Sequence, residues 1–362
     1  MAKITLAGVR HSYGSTRDDR ADWALQHLDE TWEDGGAYAL LGPSGCGKTT
    51  LLNIVSGLLR PTEGRVLFDD RDVTDQPPDQ RHIAQVFQFP VIYDTMTVHD
   101  NLAFPLRNRG VDETRVKARV REIADMLELT DMLGRRARGL TADGKQKISL
   151  GRGLVREDVN IVMFDEPLTV IDPHLKWQLR SKLKELHQRV GLTMVYVTHD
   201  QTEALTFAEQ VMVMNEGQVV QIGTPVDLFE CPQHTFVGHF IGSPGMNVLP
   251  CTLEGGKAVV EGHAIPIANP VTSAAGRLEI GVRPEFIDLA DRGAETGVPV
   301  EILKVSDAGR YRVVHTCLNG FVIKALVSEG VEIPADGARL ALAPEKTRLY
   351  ADGWLVPDGG TP

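Results

Sequence analysis

Apolar and polar positions along the start of the chain follow two different periods. Over residues 3–40, short apolar segments alternate with turns, as they do in an antiparallel β-layer. Residues 37–41 form an apolar run that predicts a short buried strand, and residues 50–59 then repeat leucine and valine at helical spacing. The pattern therefore predicts a strand that leads through a loop into a helix.

The rest of the first 240 residues alternates strands and helices. A charged helical region over 98–138 carries one apolar stripe, and a break at 139–144 separates it from a further helical stretch over 145–155. The stripe consists of Val116, Val120, Ile123, Met126 and Leu127. Further strands are predicted at 64–72 (a hairpin), 83–87, 160–166, 193–198, 211–214 and 218–222, and further helices at 173–190 and 201–208. This order is typical of an α/β fold whose parallel sheet is covered on both faces.

The pattern changes after residue 240. Residues 241–245 resemble a linker, and beyond them short alternating runs are separated by Gly, Asp and Pro, with no convincing helix. A chain of 362 residues is too long for one compact core. We therefore predict an α/β domain over 1–240, with a helical subdomain at about 89–158, and an all-β domain over 241–362.

Composition and charge exclude several classes of protein. The net charge of −11 argues against nucleic acid as the main partner, because a phosphate-binding face normally needs an excess of Lys and Arg. The cysteines are scattered, which favours reduced thiols in a cytosolic protein over a zinc site or a disulfide framework. The N-terminus does not resemble a signal peptide, and no apolar run approaches the ~20 residues of a spanning helix. We expect that another chain holds the protein at any membrane where it works.

The loop after the first predicted buried strand carries the strongest chemical signal. It fits G-x-x-x-x-G-K-[ST], in which backbone N–H groups and a helix N-terminus point at phosphate. Lys48 is expected to reach the β- and γ-phosphates, and the Thr49 hydroxyl to ligate Mg²⁺. A glycine-rich turn is the alternative, but the flanking strand and helix favour a nucleoside-triphosphate site. The residues predicted to hold the nucleotide are Gly42, Pro43, Ser44, Gly45, Cys46, Gly47, Lys48, Thr49 and Thr50.

Two acids at the end of a later strand supply the second half of the predicted site. Asp165 has the position of an acid that holds Mg²⁺ through water, and Glu166 suits a base that orients the attacking water. Seen alone, such a pair could be structural, but the phosphate loop upstream favours catalysis. His199 could contact the γ-phosphate, although a capping or surface histidine would show the same pattern. Tyr13 is a candidate for stacking on adenine, with an ordinary strand aromatic as the alternative.

These motifs appear in the order found in ABC-type ATPases. The phosphate loop is followed by Gln88 after a strand, by M-F-D-E-P at 163–167, by Asp172 and by T-H-D at 198–200. The chain resembles the nucleotide-binding subunit of a bacterial ABC importer. Segments at 86–88, 96–98 and 101–104 are similar to the maltose/glycerol-phosphate group of these subunits. Segments at 241–247 and 280–285 resemble that group's C-terminal OB-like regulatory domain, so the resemblance covers the whole chain.

The resemblance implies roles that spacing alone does not. It implies that Tyr13 stacks on adenine, that Gln88 senses Mg²⁺ and the γ-phosphate, and that His199 steadies the transition state. Asp172 would lie at a dimer interface, and the region 89–135 would dock on a transmembrane partner. The implied ligands are ATP and Mg²⁺, with Thr49, Gln88 and Asp165 as metal contacts. The implied catalytic residues are Lys48, Gln88, Glu166 and His199.

One motif departs from the family pattern. The family signature is L-S-G-G-Q, whereas this chain has L-T-A-D-G at 140–144. In such proteins the signature of one subunit closes over the nucleotide held by the other, so Asp143 would bring a carboxylate towards a γ-phosphate. A unit like-charge pair at ~5 Å in an effective dielectric of ~20 costs on the order of 3 kcal/mol, less any compensation by a neighbouring Lys. We therefore expect a weak site there, and a heterodimer with a paralogous ATPase rather than a homodimer.

The resulting prediction is an ATPase subunit that drives integral-membrane permease subunits from the cytoplasmic face of the inner membrane. A solute-binding protein would take part indirectly, and nucleic acid would not. The resemblance implies a sugar, polyol or glycerol derivative as solute, with glycerol as the first guess. Two alternatives remain: a regulatory subunit with little hydrolysis, and a soluble ABC ATPase acting on nucleic acid or ribosomes. The latter would usually show a coiled-coil insertion or tandem ATPase domains, and this sequence has neither.

Overall fold

Two separate cores organise the chain. The computed structural model describes residues 2–14, 23–169, 171–291, 297–334 and 337–357. It divides the chain into two compact units, Met1–Pro225 and Val226–Pro362. The division places the last two helices before residue 240 in the second unit, so the boundary predicted at 240 stays a prediction.

The first unit mixes strands and helices, as the alternating pattern predicts. Its strands are β1 (Ile4–Ser12), β2 (Trp23–Trp32), β3 (Ala37–Leu41), β4 (Glu63–Phe68), β5 (Arg71–Asp72), β6 (Ile83–Val86), β7 (Ile161–Asp165), β8 (Thr193–Thr198), β9 (Gln210–Asn215) and β10 (Gln218–Gly223). Its helices are α1 (Lys48–Ser56), α2 (Val98–Arg107), α3 (Glu113–Met126), α4 (Ala142–Leu154), α5 (Pro173–Val190) and α6 (Gln201–Phe207). Strands β4 and β5 form the hairpin predicted at 64–72.

The larger sheet of this unit brings four loops to one edge. Its strand order is β10-β9-β3-β8-β7-β6, and all neighbours except β10 and β9 pair in parallel. The carboxyl ends of parallel strands lie at the same edge of a sheet, where open α/β sheets bind their ligands. Strands β3, β6, β7 and β8 end here and lead into the phosphate loop, Gln88, Glu166 and His199.

A second, antiparallel sheet with the order β2-β1-β4-β5 shares the core of this unit. Helix α1 contributes Leu51, Leu52, Ile54 and Val55 to a buried cluster that also contains side chains of both sheets. The helix follows the amphipathic pattern that the sequence predicts. It begins after Gly47 and ends at Gly57, both in the left-handed conformation that glycine adopts readily. The phosphate loop therefore joins two elements whose apolar side chains lie mostly in the core.

The predicted helical region over 98–138 is interrupted. Helices α2 and α3 are separated at 108–112, where Gly110 adopts a positive φ and Asp112 caps α3 by accepting a hydrogen bond from the Thr114 N–H. Val116, Val120, Ile123 and Leu127 of the predicted stripe are buried. The break predicted at 139–144 is partly wrong, because α4 begins at Ala142 with Thr141 as its cap. Thr141 caps the helix, so the loop ends before Ala142, although Ala142 and Gly144 suggest a longer loop.

The second unit begins with the short helices α7 (Pro225–Glu230) and α8 (Thr235–Phe240) and continues as strands. The strands are β11 (Asn247–Pro250), β12 (Thr252–Glu254), β13 (Lys257–Val260), β14 (His263–Ile265), β15 (Leu278–Val282), β16 (Ile287–Asp291), β17 (Val298–Asp307), β18 (Tyr311–Leu318), β19 (Phe321–Ser328), β20 (Ala338–Leu342), β21 (Arg348–Ala351) and β22 (Trp354–Leu355). They form three antiparallel sheets around their own buried apolar cluster. After residue 240 the described part of the chain contains no α-helix, which confirms the predicted β-rich half.

In the part of the chain that the structure describes, no helix is both long and apolar enough to cross a bilayer.

Candidate nucleotide-binding site

The phosphate loop is shaped by close backbone approaches. A Cβ at Gly42 would lie 2.3 Å from the Met214 carbonyl oxygen, and one at Gly47 would lie 2.5 Å from the Ala24 carbonyl oxygen. Gly47 also has φ of 101°, which side chains other than glycine rarely tolerate. Packing therefore requires glycine at Gly42, and both packing and conformation require it at Gly47. The loop places the N-terminus of α1, which has no side-chain cap and no acid in its first turn, at the sheet edge.

Lys48 is a buried cation turned back onto this loop. Its Nζ donates to the carbonyl oxygens of Gly42 and Pro43, each at 2.8 Å, and lies 3.7 Å from the Cys46 sulfur. An ammonium group has three donors, and a thiol is a weak acceptor. One donor is therefore poorly used, as expected of a group that can also bind a phosphate oxygen. Burial raises the pKa of Cys46, although Lys48 opposes the shift, so this thiol stays protonated.

Asp165 ends β7 beside the start of α1. Its carboxylate accepts a hydrogen bond from the side chain of Thr49 and is attracted by the charge of Lys48. Burial raises its pKa above the ordinary value, and the neighbouring Glu166 raises it further. The structure thus brings Lys48 and Thr49 together with Asp165, which follows Lys48 by 117 residues in the sequence. A carboxylate whose charge is disfavoured by its surroundings would gain from an added cation.

Glu166 is held at the centre of a second group of contacts. It has φ of 47°, and its backbone N–H donates to the Val197 carbonyl oxygen at 2.9 Å, which fixes this unusual conformation. His199 Nδ1 lies 3.1 Å from Glu166 Oε1, and Gln88 Nε2 lies 3.5 Å from Oε2. The structure thus brings Gln88, Glu166 and His199 together. Gln88 contacts Glu166 rather than the Thr49–Asp165 pair.

Tyr13 lies next to the phosphate loop on the side of α1. Its hydroxyl is 3.1 Å from the Thr50 hydroxyl, and its ring stands edge-on to His11 with 4.7 Å between centroids. The residue is 67% exposed, which is unusual for a tyrosine at the end of a strand. Its ring is therefore available for contact with a flat ligand beside the loop.

Two further polar residues join these groups, and the sequence analysis did not select them. The Thr169 hydroxyl lies 3.3 Å from Glu166 Oε2. Gln146 is fully buried in α4, and its Nε2 donates to the carbonyl oxygens of Pro167 at 2.8 Å and Phe87 at 3.4 Å. This amide connects the residues next to Glu166 and Gln88. In the sequence, the only signal for Gln146 is a polar residue at a helical position that is expected to be buried.

The segment 140–144 holds an ion network of its own. Asp143 lies in the first turn of α4, and its Oδ2 is 3.7 Å from Lys147 Nζ one helical turn later. Lys147 is nearly buried and also lies 3.5 Å from Glu128 Oε2, while Lys182 of α5 approaches Glu128 Oε1 at 2.5 Å. The charge of Asp143 is therefore partly compensated within the subunit. The predicted repulsion towards a phosphate is reduced by this neighbouring lysine.

Two protein families match separate parts of this chain. The ABC transporter family matches residues 25–169, and the MalK OB fold domain family matches residues 242–287. The sn-glycerol-3-phosphate import ATP-binding protein UgpC of Ruegeria sp. (strain TM1040) is 38% identical over 97% of this chain and 97% of that protein. The protein of that name from Salmonella typhi is 41% identical over 98% of both chains.

A solved structure extends the likeness to three dimensions. It is a dimeric ATP-binding cassette in a post-hydrolysis state, bound to ADP and Pi. It superposes on 61% of this chain with a TM-score of 0.55 and 26% identity, and 98% of that protein is covered. The predicted fold class, an ATP-binding cassette followed by an OB-like domain, is thereby confirmed. The chain belongs to the ABC transporter family, as an ATP-binding ATPase subunit of the import type.

Proposed function

We propose that this chain hydrolyses ATP at the sheet edge described above and thereby drives uptake of a small polyhydroxylated solute through a membrane permease. The observation that carries the proposal is the meeting of two groups at one edge. Lys48, Thr49 and Asp165 form the first, and Glu166 with His199, 3.1 Å apart, forms the second. The first group suits binding of phosphates, and the second suits activation of water.

The first group holds the triphosphate. The N-terminus of α1 presents free N–H groups to the phosphates, and the ammonium of Lys48 exchanges its weak contact with Cys46 for a phosphate oxygen. Tyr13, exposed beside Thr50, stacks on the adenine ring. The other residues of the loop, Pro43, Ser44, Gly45 and Thr50, surround the phosphates.

The site also fits Mg²⁺. Its donors are the Thr49 hydroxyl, the Asp165 carboxylate and the Gln88 amide oxygen, and Mg²⁺ prefers such oxygen ligands. Burial and the neighbouring Glu166 raise the pKa of Asp165, so a bound cation would favour its ionised form. When bound, Mg²⁺ supplies charge neutralisation of the β- and γ-phosphates. Asp165 and Thr49 would hold it, and Gln88 would reach it from the end of β6.

Glu166 is the group that orients and activates the attacking water. Its backbone is locked by the Val197 carbonyl, and its carboxylate is aimed by His199 and Thr169. His199 then faces both Glu166 and the γ-phosphate, so it can steady the charge that develops there. Gln88 contacts the same carboxylate, and in the sequence it directly precedes the helical subdomain predicted at about 89–158.

Replacement of Glu166 by glutamine tests this assignment. The amide keeps the shape but cannot accept a proton, so we expect ATP turnover to fall on the order of 100-fold while ATP affinity is retained. Turnover and the binding of a fluorescent ATP analogue should be measured on the full chain in its assembled transporter. Glu185→Gln, an exposed position on α5, is the matched control. Near wild-type turnover of Glu166→Gln would contradict the role of this carboxylate.

The permease is expected to bind at an apolar surface next to Gln88. Phe89 is 72% exposed and Val91 is 55% exposed, and Val91 lines a cleft of 330 Å³ together with Phe87, Phe104 and Arg152 among others. Contiguous exposed apolar groups of this kind mark sites of protein contact. An aspartate at Phe89 should weaken co-purification with the permease subunits, whereas Leu58→Asp, at another exposed apolar position, should not. Such docking would place the chain at the cytoplasmic face of the inner membrane.

The proposed partner of this chain is a paralogous ATPase. Asp143 stands where the family signature has a glycine, at a position expected to face a phosphate. Lys147 offsets only part of the charge of Asp143, so the repulsion of a phosphate is reduced but not abolished. In a heterodimer, Asp143→Ala should change ATPase activity little, whereas Glu166→Gln removes most of it. A native transporter containing only this ATPase chain would contradict the pairing.

The solute class follows from the relatives alone. The matched proteins are named for import of sn-glycerol-3-phosphate, so we propose a sugar, polyol or glycerol-type solute, with glycerol among the first to test. Transport of radiolabelled glycerol and of sn-glycerol-3-phosphate should be compared in vesicles that contain the purified transporter. A solute-binding protein would deliver the solute to the permease and would act on this chain only through it.

A further inference from the structure

A buried carboxylate lies next to the segment that carries His199. Glu203, on α6, is only 3% exposed. Its Oε2 accepts hydrogen bonds from the Thr198 hydroxyl at 2.9 Å and the Tyr196 hydroxyl at 3.1 Å, and its Oε1 lies 3.3 Å from Lys176 Nζ. A buried charge is tolerated only when it is paired and hydrogen-bonded. This carboxylate is therefore committed to three side chains from two other elements.

The Thr198 hydroxyl links the Glu203 carboxylate to the backbone around His199. It donates to Glu203 and accepts a hydrogen bond from the Asp200 N–H at 3.0 Å, so the residue before His199 is joined to two residues that follow it. The side chain of His199 is 54% exposed, and packing alone does little to orient it. Its 3.1 Å contact with Glu166 therefore depends on how firmly the backbone of residues 198–200 is held.

The other oxygen of Glu203 reaches a different motif. Lys176 lies in the first turn of α5, and its N–H donates to the Asp172 carbonyl oxygen at 3.1 Å. Asp172 caps the same helix by accepting from the His174 N–H at 2.9 Å. The carboxylate thus connects the end of β8 to the start of α5, the helix that follows β7.

We propose that Glu203 is a positioning residue that fixes His199 against Glu166 and couples this contact to the start of α5 at Asp172. The inference rests on the proposed function, because it concerns the same Glu166–His199 pair. If α5 is displaced at Asp172, we expect the displacement to change the position of His199 through Lys176, Glu203 and Thr198. Tyr196 assists as a donor, since burial and the charge of Glu203 raise its pKa and keep its hydroxyl protonated.

Substitution of the two hydrogen-bonded partners tests the proposal. Thr198→Val keeps the shape of the side chain but removes its hydroxyl, and Glu203→Leu removes the acceptor. Each should lower kcat for ATP by ~10-fold in the assembled transporter, the loss expected for one misplaced catalytic contact of ~1.4 kcal/mol. The binding of a fluorescent ATP analogue should change less than ~2-fold, because the phosphate loop is untouched.

Conservative variants distinguish positioning from simple stabilisation. Glu203→Gln retains an oxygen that accepts from Thr198 and Tyr196, and Thr198→Ser retains the hydroxyl, so both should keep kcat within ~3-fold of wild type. The double variant Thr198→Val/Glu203→Leu should lose no more kcat than either single variant, because both remove the same link. Glu185→Gln serves again as the exposed control.

Three outcomes decide the matter. A fall in kcat with unchanged nucleotide affinity, restored by the conservative variants, supports the proposal. Wild-type kcat in folded Thr198→Val would overturn it, as would a parallel loss of kcat and nucleotide affinity, which indicates a general structural role. Glu166→Gln run in parallel separates the two levels. If Glu166→Gln abolishes turnover but the Thr198 and Glu203 variants do not, the positioning role fails while the proposed function stands.

Discussion

The N-termini of α1 and α4 lie in the two motifs expected to meet phosphate, and they differ in how they treat negative charge. Helix α1 begins without a side-chain cap and without an acid in its first turn, and Lys48 follows directly after Gly47. Helix α4 is capped by the Thr141 hydroxyl, which accepts from the Gly144 N–H, and has Asp143 in its first turn. Helix N-termini attract anions. The first therefore remains open to an external anion, whereas the second is partly satisfied by its own carboxylate.

The comparison shows that a motif can lose its ligand-facing chemistry without losing its fold. An acid in the first turn stabilises α4 through the helix dipole, and the nearby Lys147 offsets its charge. Both interactions favour a carboxylate at this position in the isolated subunit. We expect a disadvantage only when a second negative group approaches. Substitutions at the start of α1 should therefore lower nucleotide affinity. Substitutions near the start of α4 should instead lower the stability of the folded chain.

The largest effect is expected at the open helix start. Lys48→Ala removes a buried cation that no other side chain of the loop replaces, so ATP affinity should fall about 100-fold or more, equivalent to roughly 3 kcal/mol of charge-assisted hydrogen bonding. Titration with a fluorescent ATP analogue measures this directly. Lys145→Ala is the matched control, because Lys145 is an α4 lysine paired with the exposed Asp94. Retention of wild-type affinity in Lys48→Ala would refute the assignment of the phosphate loop.

A smaller effect is expected at the start of α4, where Asp143 pairs with Lys147. Lys147→Met leaves Asp143 and Glu128 without a nearly buried partner, which should lower the free energy of unfolding by about 1–2 kcal/mol. Thermal unfolding of the nucleotide-free chain should show a lower Tm. Addition of Asp143→Asn should recover part of the loss, since the uncompensated charge is then gone. Lys145→Met, which breaks a more exposed pair, should change Tm less. No recovery in the double variant would show that the Asp143–Lys147 contact contributes little.

The smallest effect concerns how the stability of the nucleotide-free protein depends on pH through Asp165. Burial raises the pKa of Asp165 in the folded chain, so its ionisation disfavours the folded state. This penalty is absent below the pKa of the unfolded chain and is fully present above the raised pKa of the folded chain. Asp165→Asn should therefore raise the Tm of the nucleotide-free protein at pH 7–8, and the difference from wild type should shrink as the pH is lowered towards 4. A variant less stable than wild type at pH 7 would contradict this.

The sequence by itself determined most of the fold, and it predicts which residues bind phosphate. The period of apolar positions predicts α5 and β8 with the bounds that the structure has, because long amphipathic or fully apolar runs leave few alternatives. The phosphate motif has fixed spacing, and the close approaches at Gly42 and Gly47 explain why that spacing allows little variation. The order of motifs sufficed to predict the family, which the comparisons confirm.

Only the tertiary structure decided which side chains act on one another. Gln88, Glu166 and His199 are separated by many residues, and the parallel order of β6, β7 and β8 brings them to one edge. The pairing of Asp143 with Lys147 could be suspected from their spacing, but burial of the lysine was required to give it weight. The roles of Gln146 and Glu203 depend entirely on burial and partners, which a sequence does not contain. A polar residue acquires a definite function only when the fold removes its alternatives, and that is a property of packing.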